Sequence, residues 1–133
     1  MVDTVYRGGV DMKKILIVDD QSFIRTVFKQ QLEQLGDVIA MEAANGNEAV
    51  GKAKVAHPDL ILLDIVMPSK DGFAVLEDLR DDVELRDIPV IIVSSHAEEE
   101  KVAQAKRLGA REFINKMDIN NIDFVGLVHR YIS

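Results

Sequence analysis

The stretch KKILIVDDQ, residues 13–21, decides how this sequence is read. At its centre Ile15-Leu16-Ile17-Val18 is an unbroken apolar run with no alternation of polar residues. A strand of this kind has both faces buried, as in a parallel sheet covered by helices on each side. Asp19-Asp20 then stop the run abruptly.

Outward from this strand the same grammar repeats. Ile24, Val27, Phe28, Leu32 and Leu35 recur at helical spacing, and Gly36 follows as a stop. Val38 to Ala43 reads as a second strand. Asn45 with Glu48 three residues on is a helix N-cap with its reciprocal partner. Ala49, Val50, Ala53 and Ala56 give that helix a small-residue face, and Pro58 ends it. Leu60-Ile61-Leu62-Leu63 is the third strand, stopping at Asp64. Met67 to Gly72 is turn chemistry, and Phe73, Leu76 and Leu79 open a third helix. Val90 to Val93 is the fourth strand, ending at Ser94-Ser95. Glu98-Glu99-Glu100 and Lys106-Arg107 suit the two ends of a helix dipole, and Gly109 closes that helix. Glu112 to Asn115 is a short fifth strand, followed by Lys116, and residues 120–131 form the last helix. Five strands, each followed by a helix, predict an α/β fold: a five-stranded parallel sheet with helices on both faces.

Composition agrees with one such domain. The chain has 133 residues, 47% of them hydrophobic, enough to bury a core without staples. Its 16 basic and 23 acidic residues leave a net charge of −7, which argues against direct binding to nucleic acid or an anionic membrane. With no Cys, disulfides, zinc-thiolate sites and thiol nucleophiles are excluded. No apolar run approaches the ~20 residues of a membrane span. Residues 1–12 lack a secretory apolar stretch and show no clear period, so they read as a flexible leader to a domain over 13–133. The expected compartment is the cytoplasm.

The informative pattern lies at the strand ends. Asp19-Asp20 follow the first strand, Asp64 the third, Ser94 the fourth and Lys116 the fifth. In open α/β sheets ligands bind beyond the carboxyl ends of the strands. With strands one and three adjacent, three carboxylates meet in one crevice and need compensation. Lys116 supplies one positive charge. A hard divalent cation held by oxygens supplies more, and Mg²⁺ suits a site with few carboxylates and a phosphate ligand. Taken singly, each residue has a plainer reading: Asp20 as the first helix's cap, Lys116 as a surface lysine, Ser94 as a turn former. Their joint occurrence on one alternating chain favours a site.

The stretches KKILIVDDQ (13–21), HPDLILLDIVMP (57–68) with DG at 71–72, IPVIIVSS (88–95) and LGAREFINK (108–116) together resemble the receiver domain of bacterial two-component response regulators, the CheY-like family. The resemblance covers roughly residues 13–131. It implies the flavodoxin-like strand order 2-1-3-4-5. It also implies that Asp64 is the phosphoacceptor, forming a mixed anhydride. Asp20 would bind Mg²⁺ directly and Asp19 mostly through water, with Asp64 and the carbonyl of Val66 completing the protein ligands. Lys116 would pair with a phosphoryl oxygen, and the Ser94 hydroxyl would bond another. Ser94 and Phe113 would be the switch pair, moving the face made by the fourth helix, fifth strand and fifth helix. The implied partners are a sensor histidine kinase or histidine phosphotransfer protein, and a downstream target or output domain. The chain would be a monomer or weak dimer that modifies itself and turns over no metabolite.

Three residues depart from the family pattern. Val66 stands where many relatives carry a polar side chain, so it cannot orient an attacking water. Ser95 stands where a small residue, often Ala, is usual. Met117 follows Lys116 where the family usually has a cis proline. A cis non-proline bond costs about 2.5–4 kcal/mol, so Lys116–Met117 is expected trans and its loop rearranged. In the last helix Phe124, Leu127, Val128 and Tyr131 form an apolar stripe, with Ile122, Val125 and Ile132 off it. Of the three histidines only His96 is placed to line the mouth of the site.

Three other readings compete. One is a receiver-shaped interaction module that works without phosphorylation. A second is a phosphatase with an aspartyl nucleophile, of the haloacid-dehalogenase type. That chemistry needs a second Asp two residues after the nucleophile, where this chain has Val66. The third, a flavodoxin-type nucleotide binder, lacks a Gly-rich loop after the first strand.

Overall fold

In the computed structural model, which describes residues 5–7 and 10–133, strands and helices alternate along the chain. The elements are β1 (Val5–Arg7), β2 (Val10–Val18), α1 (Ser22–Glu33), β3 (Val38–Ala43), α2 (Gly46–Ala56) and β4 (Leu60–Leu63). There follow α3 (Gly72–Asp81), β5 (Val90–Ser94), α4 (Glu99–Arg107), β6 (Glu112–Asn115), a 3-10 helix (Lys116–Asn121) and α5 (Phe124–Ile132).

Five strands pair in parallel in the order β3-β2-β4-β5-β6. Counting the parallel strands alone, this is the flavodoxin-like order 2-1-3-4-5. β2 holds the centre, with Ile15 opposite both Ala40 of β3 and Leu60 of β4. Successive residues of β2 face opposite sides of the sheet. Ile15 and Ile17 pack with Phe28 and Leu32 of α1 and with Phe124, Val128 and Ile132 of α5. Leu16 and Val18 pack on the other side with Ala49 and Ala53 of α2 and Val75, Leu76 and Leu79 of α3. Burying one such side chain is worth roughly 1.5–3 kcal/mol. Both faces of β2 earn that gain, which is why its apolar run is unbroken.

The caps follow the local chemistry. The Asn45 side chain accepts from the Glu48 amide at 2.9 Å, and its own amide donates to the Glu48 carboxylate at 3.1 Å. Gly36 and Gly109 adopt positive φ, +86° and +104°, after α1 and α4. His57 ends α2 in the left-handed region at φ 47°, just before Pro58.

Three expectations change. Part of the leader is a strand: β1 runs antiparallel to the start of β2, with Val5 opposite Met12 and Arg7 opposite Val10. Gly8-Gly9 lies between them in sequence. Three-residue strands are too short to show a period. Residues 1–4, 8 and 9 of the expected leader lie outside the described residues. The last helix starts at Phe124, not 120, because the Asp123 side chain caps it by accepting from Gly126 N at 2.9 Å. Ile132 joins Phe124 and Val128 in the core, since the buried face of α5 steps by four residues. Among the described residues no helix is long and apolar enough to cross a membrane.

Candidate functional site

All five parallel strands end at one edge of the sheet, so the residues that follow them share one crevice. The ladder continues one step past β2 and β4. Asp19 N donates to Ala43 O at 3.1 Å, and Asp64 N donates to Val18 O at 3.0 Å. The backbones of both acids are therefore fixed by the sheet itself. Gly72 closes the loop after β4 by donating to Ile65 O at 2.7 Å. A Cβ there would stand 2.4 Å from the Asp64 carbonyl oxygen, so only glycine permits that approach.

Asp19, Asp20 and Asp64 each bring a carboxylate oxygen within 4.8 Å of the others. Asp19 and Asp64 are buried, and Asp20 is exposed. Lys116, carried just past β6, places Nζ 2.6 Å from Asp19 Oδ2 and 3.0 Å from Asp64 Oδ2. Burial raises the Asp19 pKa above the ordinary carboxylate value, although bonds from Lys116 and the Gln21 amide oppose the rise. Burial alone would lower the Lys116 pKa, but its hydrogen bonds to Asp19 and Asp64 outweigh that and leave it raised. The ammonium is thus firmly protonated.

One ammonium against three carboxylates leaves an excess of negative charge. Asp20 has no hydrogen-bond or ion-pair partner among the described residues. An all-oxygen donor set with one free, exposed carboxylate fits a hard divalent cation. Asp20 does not cap α1, whose N-cap is Gln21 with no side-chain cap bond.

A cleft of about 220 Å³ opens over these groups, lined by Asp20, Gln21, Asp64, Val66, Ser95, His96 and Lys116. Val66 is 45% exposed on its wall, and His96 lies at its mouth. Asp64 Oδ1 accepts from Ile65 N at 2.7 Å. Ser94 is fully buried, and its Oγ accepts from His96 N at 3.1 Å. That contact occupies a lone pair and leaves the hydroxyl proton free to donate. Phe113 is half-buried, opposite Ile92 of β5 in register, and packs on the core cluster containing Leu63.

The chain after Lys116 turns at once into the 3-10 helix, with Lys116–Met117 trans. The Asn115 side chain accepts from Met117 N at 2.9 Å and caps this turn. Lys116 reaches both acids from that arrangement, so the expected rearrangement of the loop leaves the lysine in place.

Sequence reasoning passed over Arg25. Its Nη1 donates to the Asp19 carbonyl at 2.6 Å, and its Nε pairs with Glu42 Oε1 at 2.9 Å. One signal was available. Arg25 sits in the first turn of α1, where no acid accompanies it and the helix dipole disfavours a cation.

Adjacent central strands ending in acids, a third ending in a hydroxyl and a fourth in a lysine define a doubly wound α/β domain with an acidic, lysine-bridged crevice. The profile of the response regulator receiver domain matches residues 15–123, and the chain belongs to that family. It is similar to PilH of Pseudomonas aeruginosa, with 39% identity over 105 residues, covering 79% of this chain and 86% of that protein. It is similar to chemotaxis protein CheY of Thermotoga maritima, with 37% identity over 105 residues, covering 78% and 85%. Among solved structures, the receiver domain of a signal transduction histidine kinase from Syntrophus aciditrophicus superposes with a TM-score of 0.79. The identity there is 33%, over 91% of this chain and 90% of that one.

Proposed function

We propose that this chain is a phosphorylation-dependent switch of a two-component system, working in the cytoplasm. Asp64 is its phosphoacceptor, and the donor is a phosphohistidine on a sensor kinase or phosphotransfer protein. A carboxylate oxygen of Asp64 attacks phosphorus, the P–N bond breaks, and the imidazole leaves with the bonding pair. The observation that carries this reading is the Lys116 ammonium 3.0 Å from Asp64 Oδ2, beside two further acids.

In this reading each residue has a role. Lys116 shifts from carboxylate toward a phosphoryl oxygen, which it pairs as a point charge. Ser94 donates its free proton to another. Asp19, Asp20, Asp64 and the Val66 carbonyl would hold Mg²⁺, whose contribution when bound is neutralisation of the charge on the transferring group. Motion of Ser94 toward the site opens space beside β5, and Phe113 on the neighbouring strand turns into it. The face of α4, β6 and α5 then changes for a downstream target. A phosphoryl group biases this face only by favouring one arrangement over the other. Such a chain catalyses its own modification, turns over no metabolite, and works as a monomer or weak dimer. The phosphatase reading lacks its second acid, because Val66 stands at that position.

The test is incubation with acetyl phosphate, with and without Mg²⁺, followed by intact mass. A single Mg²⁺-dependent phosphoryl adduct, absent in Asp64→Asn, is the expected result. No adduct and no Mg²⁺ binding would favour a receiver-shaped module that works without phosphorylation.

A further inference from the structure

Asp20 is the exposed member of the acid cluster, and no partner among the described residues holds its side chain. Its direction is therefore set by its backbone. The peptide joining Asp19 to Asp20 is planar, so fixing the Asp19 carbonyl fixes the plane from which Asp20 departs.

Among the described residues that carbonyl has one side-chain partner, Arg25 Nη1, at 2.6 Å. The guanidinium is itself anchored, with Nε 2.9 Å from Glu42 Oε1 at the end of β3. The side chain is only 15% exposed, so water competes weakly for it. The Asp19 amide is tied to the same strand end, donating to Ala43 O at 3.1 Å. Asp19 is thus clamped from both sides by groups of β3, one directly and one through Arg25. Helix stability does not explain this placement, because a cation in the first turn of α1 opposes the helix dipole. The planar fork of arginine suits the task, since one guanidinium meets a carbonyl and a carboxylate at once.

We infer that Arg25, held by Glu42, is a positioning residue for the cation site: it orients the Asp19–Asp20 peptide so that the Asp20 carboxylate faces the cleft. This inference rests on the cation site of the proposed function. Groups that orient metal ligands typically contribute 10–100-fold in metal affinity. Simple charge predicts the opposite sign, because deleting a cation near three acids strengthens cation binding.

The test is Mg²⁺ titration by calorimetry on the full chain for wild type, Arg25→Ala, Arg25→Lys and Glu42→Gln. Urea unfolding in EDTA runs beside it. Arg25→Ala is expected to weaken Mg²⁺ binding about tenfold or more. Arg25→Lys should recover part of the loss, and Glu42→Gln should show a smaller one. Phosphorylation by acetyl phosphate in these variants should be slow at low Mg²⁺ and approach wild type at saturating Mg²⁺. Unchanged or tighter Mg²⁺ binding in folded Arg25→Ala overturns the inference, whatever happens to stability. Should Arg25→Ala not fold, Arg25→Lys and Glu42→Gln decide it, and wild-type affinity in both overturns it. Wild-type protein that binds no Mg²⁺ overturns the cation site itself, and the inference with it.

Discussion

Lys116 lies closer to Asp19 than to Asp64, at 2.6 Å against 3.0 Å. One ammonium thus bridges two buried carboxylates that follow the paired strands β2 and β4. Its removal leaves those acids facing each other in a poorly solvated site. Truncating one partner of a buried ion pair is typically destabilising by about 3–5 kcal/mol, less where one charge can be neutralised by a proton. Lys116→Met is therefore expected to lower stability by ~2–3 kcal/mol without Mg²⁺, and by less when Mg²⁺ is saturating. Urea unfolding with EDTA and with Mg²⁺ measures both; an equal loss in each would show that cation and lysine do not share the same compensating role.

Asp19 gives a pH dependence of definite sign. Burial raises its folded-state pKa above that of the unfolded chain, so the folded form binds the proton more tightly. Its ionised form therefore costs stability, and the cost grows as pH rises from the ordinary carboxylate value through the raised one. Asp19→Asn is expected to raise the unfolding midpoint of metal-free protein at pH 7. The gain should shrink as pH falls below the raised value. A gain independent of pH between 4 and 7, as an approximate window around ordinary carboxylate titration, would count against burial of the charge as its cause.

Cation binding should stabilise the fold by mass action. A ligand at 100 times its Kd adds about 2.7 kcal/mol. Mg²⁺ is expected to raise the Tm of wild type in a concentration-dependent way, and Asp20→Asn to abolish most of that rise. Asp20 is exposed and pairs with nothing among the described residues, so the same substitution should not lower the Tm in EDTA, and relief of repulsion from Asp19 and Asp64 should raise it modestly.

Two glycines make a matched pair. A Cβ at Gly72 would meet the Asp64 carbonyl oxygen at 2.4 Å and Ile65 Cα at 2.8 Å, both backbone. A Cβ at Gly51, inside α2, meets nothing within 4 Å. Gly72→Ala is expected to cost ~1–3 kcal/mol as overpacking and to slow Asp64 phosphorylation by displacing its backbone. Gly51→Ala is expected to stabilise by ~0.5–1 kcal/mol through helix propensity, with phosphorylation unchanged. Denaturant midpoints and adduct formation rates report the two effects separately.

Val66 bears on the lifetime of the phosphoryl group. It lines the cleft with an exposed, apolar side chain that cannot orient water. Spontaneous dephosphorylation is expected to be slow, and Val66→Asn to speed it. A lifetime of only seconds that Val66→Asn leaves unchanged would remove Val66 from the account.

Much of the fold was written locally. The run Ile15–Val18 announces burial on two faces because neighbouring residues must face opposite sides of a strand. Asn45 with Glu48, Gly36 and Gly109 mark helix ends through contacts only a few residues long. The acids, serine and lysine of the site are legible because each follows a readable strand. The 3-10 helix at Lys116–Asn121 was not legible, since its six residues, capped by the Asn115 side chain, carry no periodic signal. Nor was β1, whose three residues give too little pattern.

The sequence by itself determined the order of the five parallel strands and five α-helices and the chemical groups at the strand ends, because those depend on residues one to four places apart. Which strands lie side by side was implied by resemblance and settled only in the folded sheet. Lys116 meets Asp64 across 52 residues, and Arg25 meets Glu42 across 17. No local periodicity encodes such distances. The pairing of β2 with β3 on one side and β4 on the other turns separate acids into one site, and it places an arginine where it can hold their backbone.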